Sequence, residues 1–125
     1  MTYSYKKLKM QVFGCLIHIV VADDPSEYML KKEIPIVKLK NAEAITAWDD
    51  NDVMNYHLIF SENTSYQTIT HESVHCINKI FEARGVNPDF DNDELYAYHV
   101  GWLAGEVAEF ISKLINKKQN NETTK

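Results

Sequence analysis

The run YQTITHESVHCINKIFEARG, residues 66–85, decides how the rest of the chain is arranged. Ile69, Val74, Ile77, Ile80 and Phe81 recur at spacings of three to five, the single apolar stripe of an amphipathic helix. Asn63, Thr64 and Ser65 ahead of it all suit a helix start, because their side-chain oxygens accept from otherwise unpaired first-turn N–H groups. Gly85 and Pro88 behind it are the usual end signals. The spacing predicts a helix over 66–84, with His71, His75, Asn78 and Glu82 on a face well away from the stripe.

His71 and His75 are therefore one turn apart on the same side. Two imidazoles so placed can reach one tetrahedral ion. Glu72 points about 100° away from them, which makes it a poor ligand but a suitable base for a metal-activated water. Together they form H-E-x-x-H, the zinc pattern of metal-dependent peptide hydrolysis. A lone histidine on an apolar face would be a packed core residue. These two stand on the wrong face for that.

A third ligand is offered by Glu94. Eighteen residues, Cys76 to Asp93, separate it from His75, enough for a helix end, a reversal over 85–92 and the first turn of an antiparallel second helix. That helix is predicted from Asp93 to about Lys117. Ala97, Gly101, Ala104, Gly105 and Ala108 line its side at or beside Glu94, where small residues would let two helices approach, while Val100, Val107, Ile111 and Leu114 extend its buried face. Other readings stay open. Asp91-x-x-Glu94 is also a capping box, in which Glu94 closes a helix start, and Asp93 is a neighbouring carboxylate. Cys15 is a rival ligand.

His71-Glu72-x-x-His75, the interval of eighteen and Glu94-x-x-Ala97-Tyr98 together resemble the gluzincin class of zinc metallopeptidases. More narrowly, the run from HESVHCINKIFEARG to DELYAYHVGWL looks like the short metallopeptidase-like proteins encoded by phages and prophages. The likeness covers roughly residues 60–110. It implies His71, His75 and Glu94 as zinc ligands and Glu72 as general base. Where Tyr98 stands, some gluzincins carry an Asp that supports a ligand histidine. Tyr98 is instead the first candidate for donating to the oxyanion, ahead of Tyr96, His99 and His57. Separately, Phe13-Gly14-Cys15-Leu16 upstream of the motif resembles the peptide deformylase arrangement, which would make Cys15 the third ligand.

A chain of 125 residues fits one domain, here 1–117, with the polar stretch KQNNETTK, 118–125, expected as a disordered tail. The apolar content of 45% is ordinary for a globular protein, and the net charge of −5 argues against nucleic acid as a partner. No apolar stretch reaches membrane-spanning length. Cys15 and Cys76 make no disulfide framework. Lys6 to Ala22 could be taken for a secretory signal, but Gln11, His18 and its β-branched residues favour a retained strand and a cytoplasmic setting.

Taken in order, residues 8–22 read as one long central strand with Gly14 as a bulge. Asp24-Pro25-Ser26-Glu27 opens a short helix to about Lys32. Residues 34–39 are extended, with Pro35 favouring an edge. Residues 43–48 and 53–60 form a hairpin around Asp49-Asp50-Asn51-Asp52, and Tyr56–Phe60 is the strand expected to pair with an extended substrate. His18 and His57 read as sheet residues, Cys76 as structural, and Trp48 and Trp102 as core or cleft-wall aromatics.

The expected fold is α+β: a small, mostly antiparallel sheet, an active-site helix and a long antiparallel C-terminal helix, a minimal zincin-like arrangement. The function that follows is peptide-bond hydrolysis with Zn2+ as cofactor and a peptide or protein as substrate. A non-catalytic zinc-binding regulatory protein on the same scaffold and a deformylase-like amidase are the alternatives.

Overall fold

The structure, a computed structural model, describes residues 2–34, 37–40 and 44–123. The fold is α+β. Its elements are β1 (Tyr3–Lys9), β2 (Leu16–Ala22), α1 (Pro25–Lys32), β3 (Val37–Lys40), β4 (Ala44–Asp49), β5 (Asp52–Ser61), α2 (Tyr66–Ala83) and α3 (Glu94–Thr123).

Residues 8–22 do not form one strand. They fold back on themselves, so that β1 and β2 pair antiparallel with Leu8 opposite Ile17. The Met10 N–H donates to the Cys15 carbonyl at 2.9 Å, and Gly14, at φ +70°, takes the left-handed conformation that the reversal needs. Apolar character hid this turn, because Met10 and Cys15 are themselves buried at its base. Of the two, β2 is the interior strand. β1 exposes Tyr3, Tyr5, Lys7 and Lys9 and is an outer one.

The five strands are ordered β1-β2-β5-β4-β3. The sheet is mixed: β2 and β5 run parallel, with Ile19 opposite Leu58, while β1–β2, β4–β5 and β3–β4 are antiparallel. β5 is therefore hydrogen-bonded on both sides, and Tyr56–Phe60 has no free edge to offer a peptide. That expectation is corrected. β3, the last strand in the order, has the outer edge; Pro35 and Glu43 lie outside the described residues. The 49–52 turn and the β4–β5 hairpin form as expected.

Strand alternation gives the sheet two buried faces. Ile17, Ile19, Leu58 and Phe60 pack against α2 and α3, while Val20, Ala22, Ile45 and Ile59 pack against Tyr28 and Met29 of α1. Asp24 caps α1 by accepting from the Glu27 N–H at 3.1 Å. On α2, Ile69, Ile77, Ile80 and Phe81 are buried, each contributing about 1.5–3 kcal/mol of burial free energy.

α3 continues helical through Lys118 to Thr123, into the stretch expected as a disordered tail. Lys118 reaches Glu62 at 3.8 Å, which ties this stretch to the β5–α2 loop. Gly101 and Gly105 do not mediate close helix approach: a Cβ at either would meet nothing within 4 Å. Among the described residues, no helix is long and apolar enough to cross a membrane.

Candidate metal centre

Three anchors fix α2 on the sheet. Ser65 caps its start, accepting from the Thr68 N–H at 3.1 Å. At its end, Arg84 donates to the Tyr56 hydroxyl at 2.8 Å and to the Val53 carbonyl at 2.7 Å, and Gly85 follows at φ +68°. Between them, Lys79 lies over the ring of buried Trp48 on β4 at 4.7 Å. With the apolar stripe turned inward, the histidine face is left outside. His71 keeps 60% of its side chain exposed and His75 is half-buried.

The two imidazoles converge. Their Nε2 atoms are 3.1 Å apart, with ring planes at 79°. Two nitrogens on one tetrahedral zinc, each about 2.0–2.1 Å from it, would be about 3.3–3.4 Å apart. The pair thus already stands near the separation that a shared ion demands. The Glu72 Oε2 is 3.7 Å from the His71 Nε2, and one ligand-type atom from each of His71, Glu72 and His75 lies within 4.8 Å of the others. Nitrogen and oxygen donors of this kind suit Zn2+.

Glu72 is set differently from the histidines. It is only 2% exposed, and its Oε1 accepts a hydrogen bond at 3.1 Å from the hydroxyl of Thr46, itself 1% exposed in β4. One carboxylate oxygen is held against the sheet and the other faces the imidazoles. Thr46 carried no signal in the sequence. Only the strand alternation that turns Ala44, Thr46 and Trp48 toward α2 could have pointed to it.

No protein-family model, curated protein or solved structure matches the chain.

The remaining candidates stand apart from this group. Glu94 is the first residue of α3, exposed and without a hydrogen-bonded partner among the described residues. No Asp91–Glu94 capping bond is present among them; the Asp93 carbonyl accepts from the Ala97 N–H and begins the helix. The Tyr96 hydroxyl donates to Asn78, and Phe81 packs on both Tyr96 and His99. The contacts of Tyr96 with Asn78 and Phe81 place Glu94, two residues earlier, toward the C-terminal end of α2. Tyr98 is 68% exposed and its ring meets His99, not His71 or His75. His99 is buried, with Nδ1 at 2.8 Å from the Leu95 carbonyl.

Cys15 is a core residue. Its thiol faces the Met10 sulfur at 3.8 Å, and burial pushes its pKa up against the opposing pull of Arg84. Cys76 is buried in the same core, and burial raises its thiol pKa strongly. His18 and His57 are in-register neighbours across β2 and β5, stacked at 4.8 Å on the other face of the sheet. Beyond Asn78, the histidine side of α2 leads into a hollow of 490 Å³ floored by Phe81 and walled by Tyr96, Val86 and Pro88.

Proposed function

We propose that this protein is a zinc-dependent metallopeptidase of the gluzincin type on a minimal zincin-like scaffold. The observation that carries this reading is the convergence of His71, His75 and the buried Glu72 carboxylate from neighbouring positions on α2. Among α3 carboxylates up to Glu109, Glu106 pairs with Lys6 and Glu109 with Lys113, leaving Glu94 as the third ligand. Its ligation needs the first turn of α3 to move toward His75. No described bond holds the Glu94 side chain back.

Zinc, when bound, supplies a Lewis acid that activates water and polarises the scissile carbonyl. The chain supplies the rest. Glu72, fixed and shielded from solvent, takes a proton from the attacking water as its oxygen adds to the carbonyl carbon. It returns that proton to the leaving nitrogen as the C–N bond breaks, giving a carboxylic acid and an amine. The outer edge of β3, the last strand in the order, suits an extended peptide. The hollow beyond Asn78 suits a substrate side chain.

The test is zinc content per chain followed by a peptide-library screen of the loaded protein. About one zinc and cleavage of any library member support the reading. No zinc after reconstitution, or one zinc and no cleavage, counts against it. The exposure of His71 favours a second reading, in which the same residues hold zinc for a partner and nothing is hydrolysed.

A further inference from the structure

The buried pair Thr46–Glu72 carries an inference that rests on the metal reading above and goes beyond it. His71, Glu72 and His75 are all close enough together to share one ion, so nothing in their spacing prevents Glu72 from becoming a ligand. A carboxylate spent on the metal could not serve as a base. What separates the two roles is the second oxygen. Its Oε1 is engaged by the Thr46 hydroxyl at 3.1 Å, from a strand paired on both sides and hence unable to shift freely.

We infer that Thr46 is a positioning residue which holds Glu72 off the metal and keeps its Oε2 free for water. Two observations favour a hydroxyl acting in this way over a merely packed threonine. Ala44 and Trp48, its neighbours on the same face of β4, are apolar and join the core, whereas Thr46 alone of the three brings a donor to this carboxylate. Both partners are also almost fully buried, so water cannot stand in for the hydroxyl. A buried carboxylate oxygen that loses its donor must find other compensation. The nearest cation is an ion held by His71 and His75.

The consequence has opposite signs in two readouts. Removing the hydroxyl frees Glu72 to ligate, so zinc is held at least as tightly while turnover falls. A structural role would weaken both together.

The experiment compares wild type, E72Q, T46V, T46S and the double variant T46V/E72Q by zinc titration against a chelator, by turnover and by thermal melting. Expected for T46V are a zinc Kd unchanged or tighter and a kcat lower by roughly 10- to 100-fold, part of what a positioned base contributes. T46S should restore both values. T46V/E72Q should bind zinc no more tightly than E72Q alone. Weaker zinc binding in T46V, or full turnover, overturns the inference. Should T46V fail to fold, T46A takes its place with the same expectations. If the wild type binds zinc but cleaves nothing, the peptidase reading fails by itself and the zinc titration still decides the role of Thr46. If the wild type binds no zinc, both fall.

Discussion

The Tyr96 hydroxyl donates to the side-chain oxygen of Asn78, and this bond sets how far α3 has slid along α2. Lys118, far along α3, reaches Glu62 just ahead of α2, so residues before Tyr96 lie toward the end of α2. Glu94 is on the far side of that contact. Whether it nonetheless closes on the ion is a direct question of stoichiometry and affinity. Glu94→Ala should lower zinc affinity by more than the 10- to 100-fold typical of an outer-shell partner. Being exposed, it should leave the melting temperature almost unchanged. Equilibrium dialysis against zinc with the folded variant measures it, and retained affinity would move the third ligand elsewhere.

Glu72→Gln separates catalysis from metal holding. The amide is close in shape and can still accept from Thr46, so the fold and the zinc should survive. Turnover should fall by at least about 10²-fold, the lower range for a lost general base. A loaded Glu72→Gln protein that cleaves peptides as fast as wild type would remove Glu72 from the chemistry. Under the non-catalytic reading there is no turnover to lose, and partner binding persists.

His71→Ala and Phe81→Ala form a contrasting pair on one helix. His71 is largely exposed, so its loss should cost zinc while changing stability by no more than about 0.5 kcal/mol. Phe81 is buried against Phe13, Tyr96 and His99, and truncation should cost about 3–5 kcal/mol. Urea unfolding of the zinc-free proteins gives both numbers. A large loss of stability in His71→Ala would make that histidine a packing residue after all.

Helix α2 was legible from end to end, because every level of its sequence agreed: Ser65 to cap, one apolar stripe, Gly85 to stop. The β1–β2 hairpin was not. A turn made of Met10, Phe13 and Cys15 is as apolar as a strand, and only the positive φ of Gly14 marks it. Neither could the parallel pairing of β2 with β5 be read, since strand order depends on contacts far apart in sequence. That pairing is also what denies Tyr56–Phe60 a free edge.

The same division runs through the candidate centre. His71, Glu72 and His75 belong to one helix turn, so their juxtaposition follows from local geometry and was readable. Thr46 lies 26 residues before Glu72 on another element and meets it only through the packing of α2 on β4. Glu94 depends on the register between two helices, and of the small residues read as close-approach positions Gly101 and Gly105 face open space.

His57 gives the fold one source of acid sensitivity. Burial, and then the neighbouring His18, lower its pKa from 6.5 to about 4, with Asp52 pulling weakly the other way. The depressed value means that the unfolded chain takes up this proton first as pH falls. Stability referable to His57 is therefore complete above pH 6.5 and declines progressively as pH drops toward 4. Urea midpoints taken between pH 7.5 and 4 should fall in wild type. In His57→Gln, which carries no titrating ring, the decline across that window should be shallower. An equally steep decline in the variant would assign the acid sensitivity to other groups.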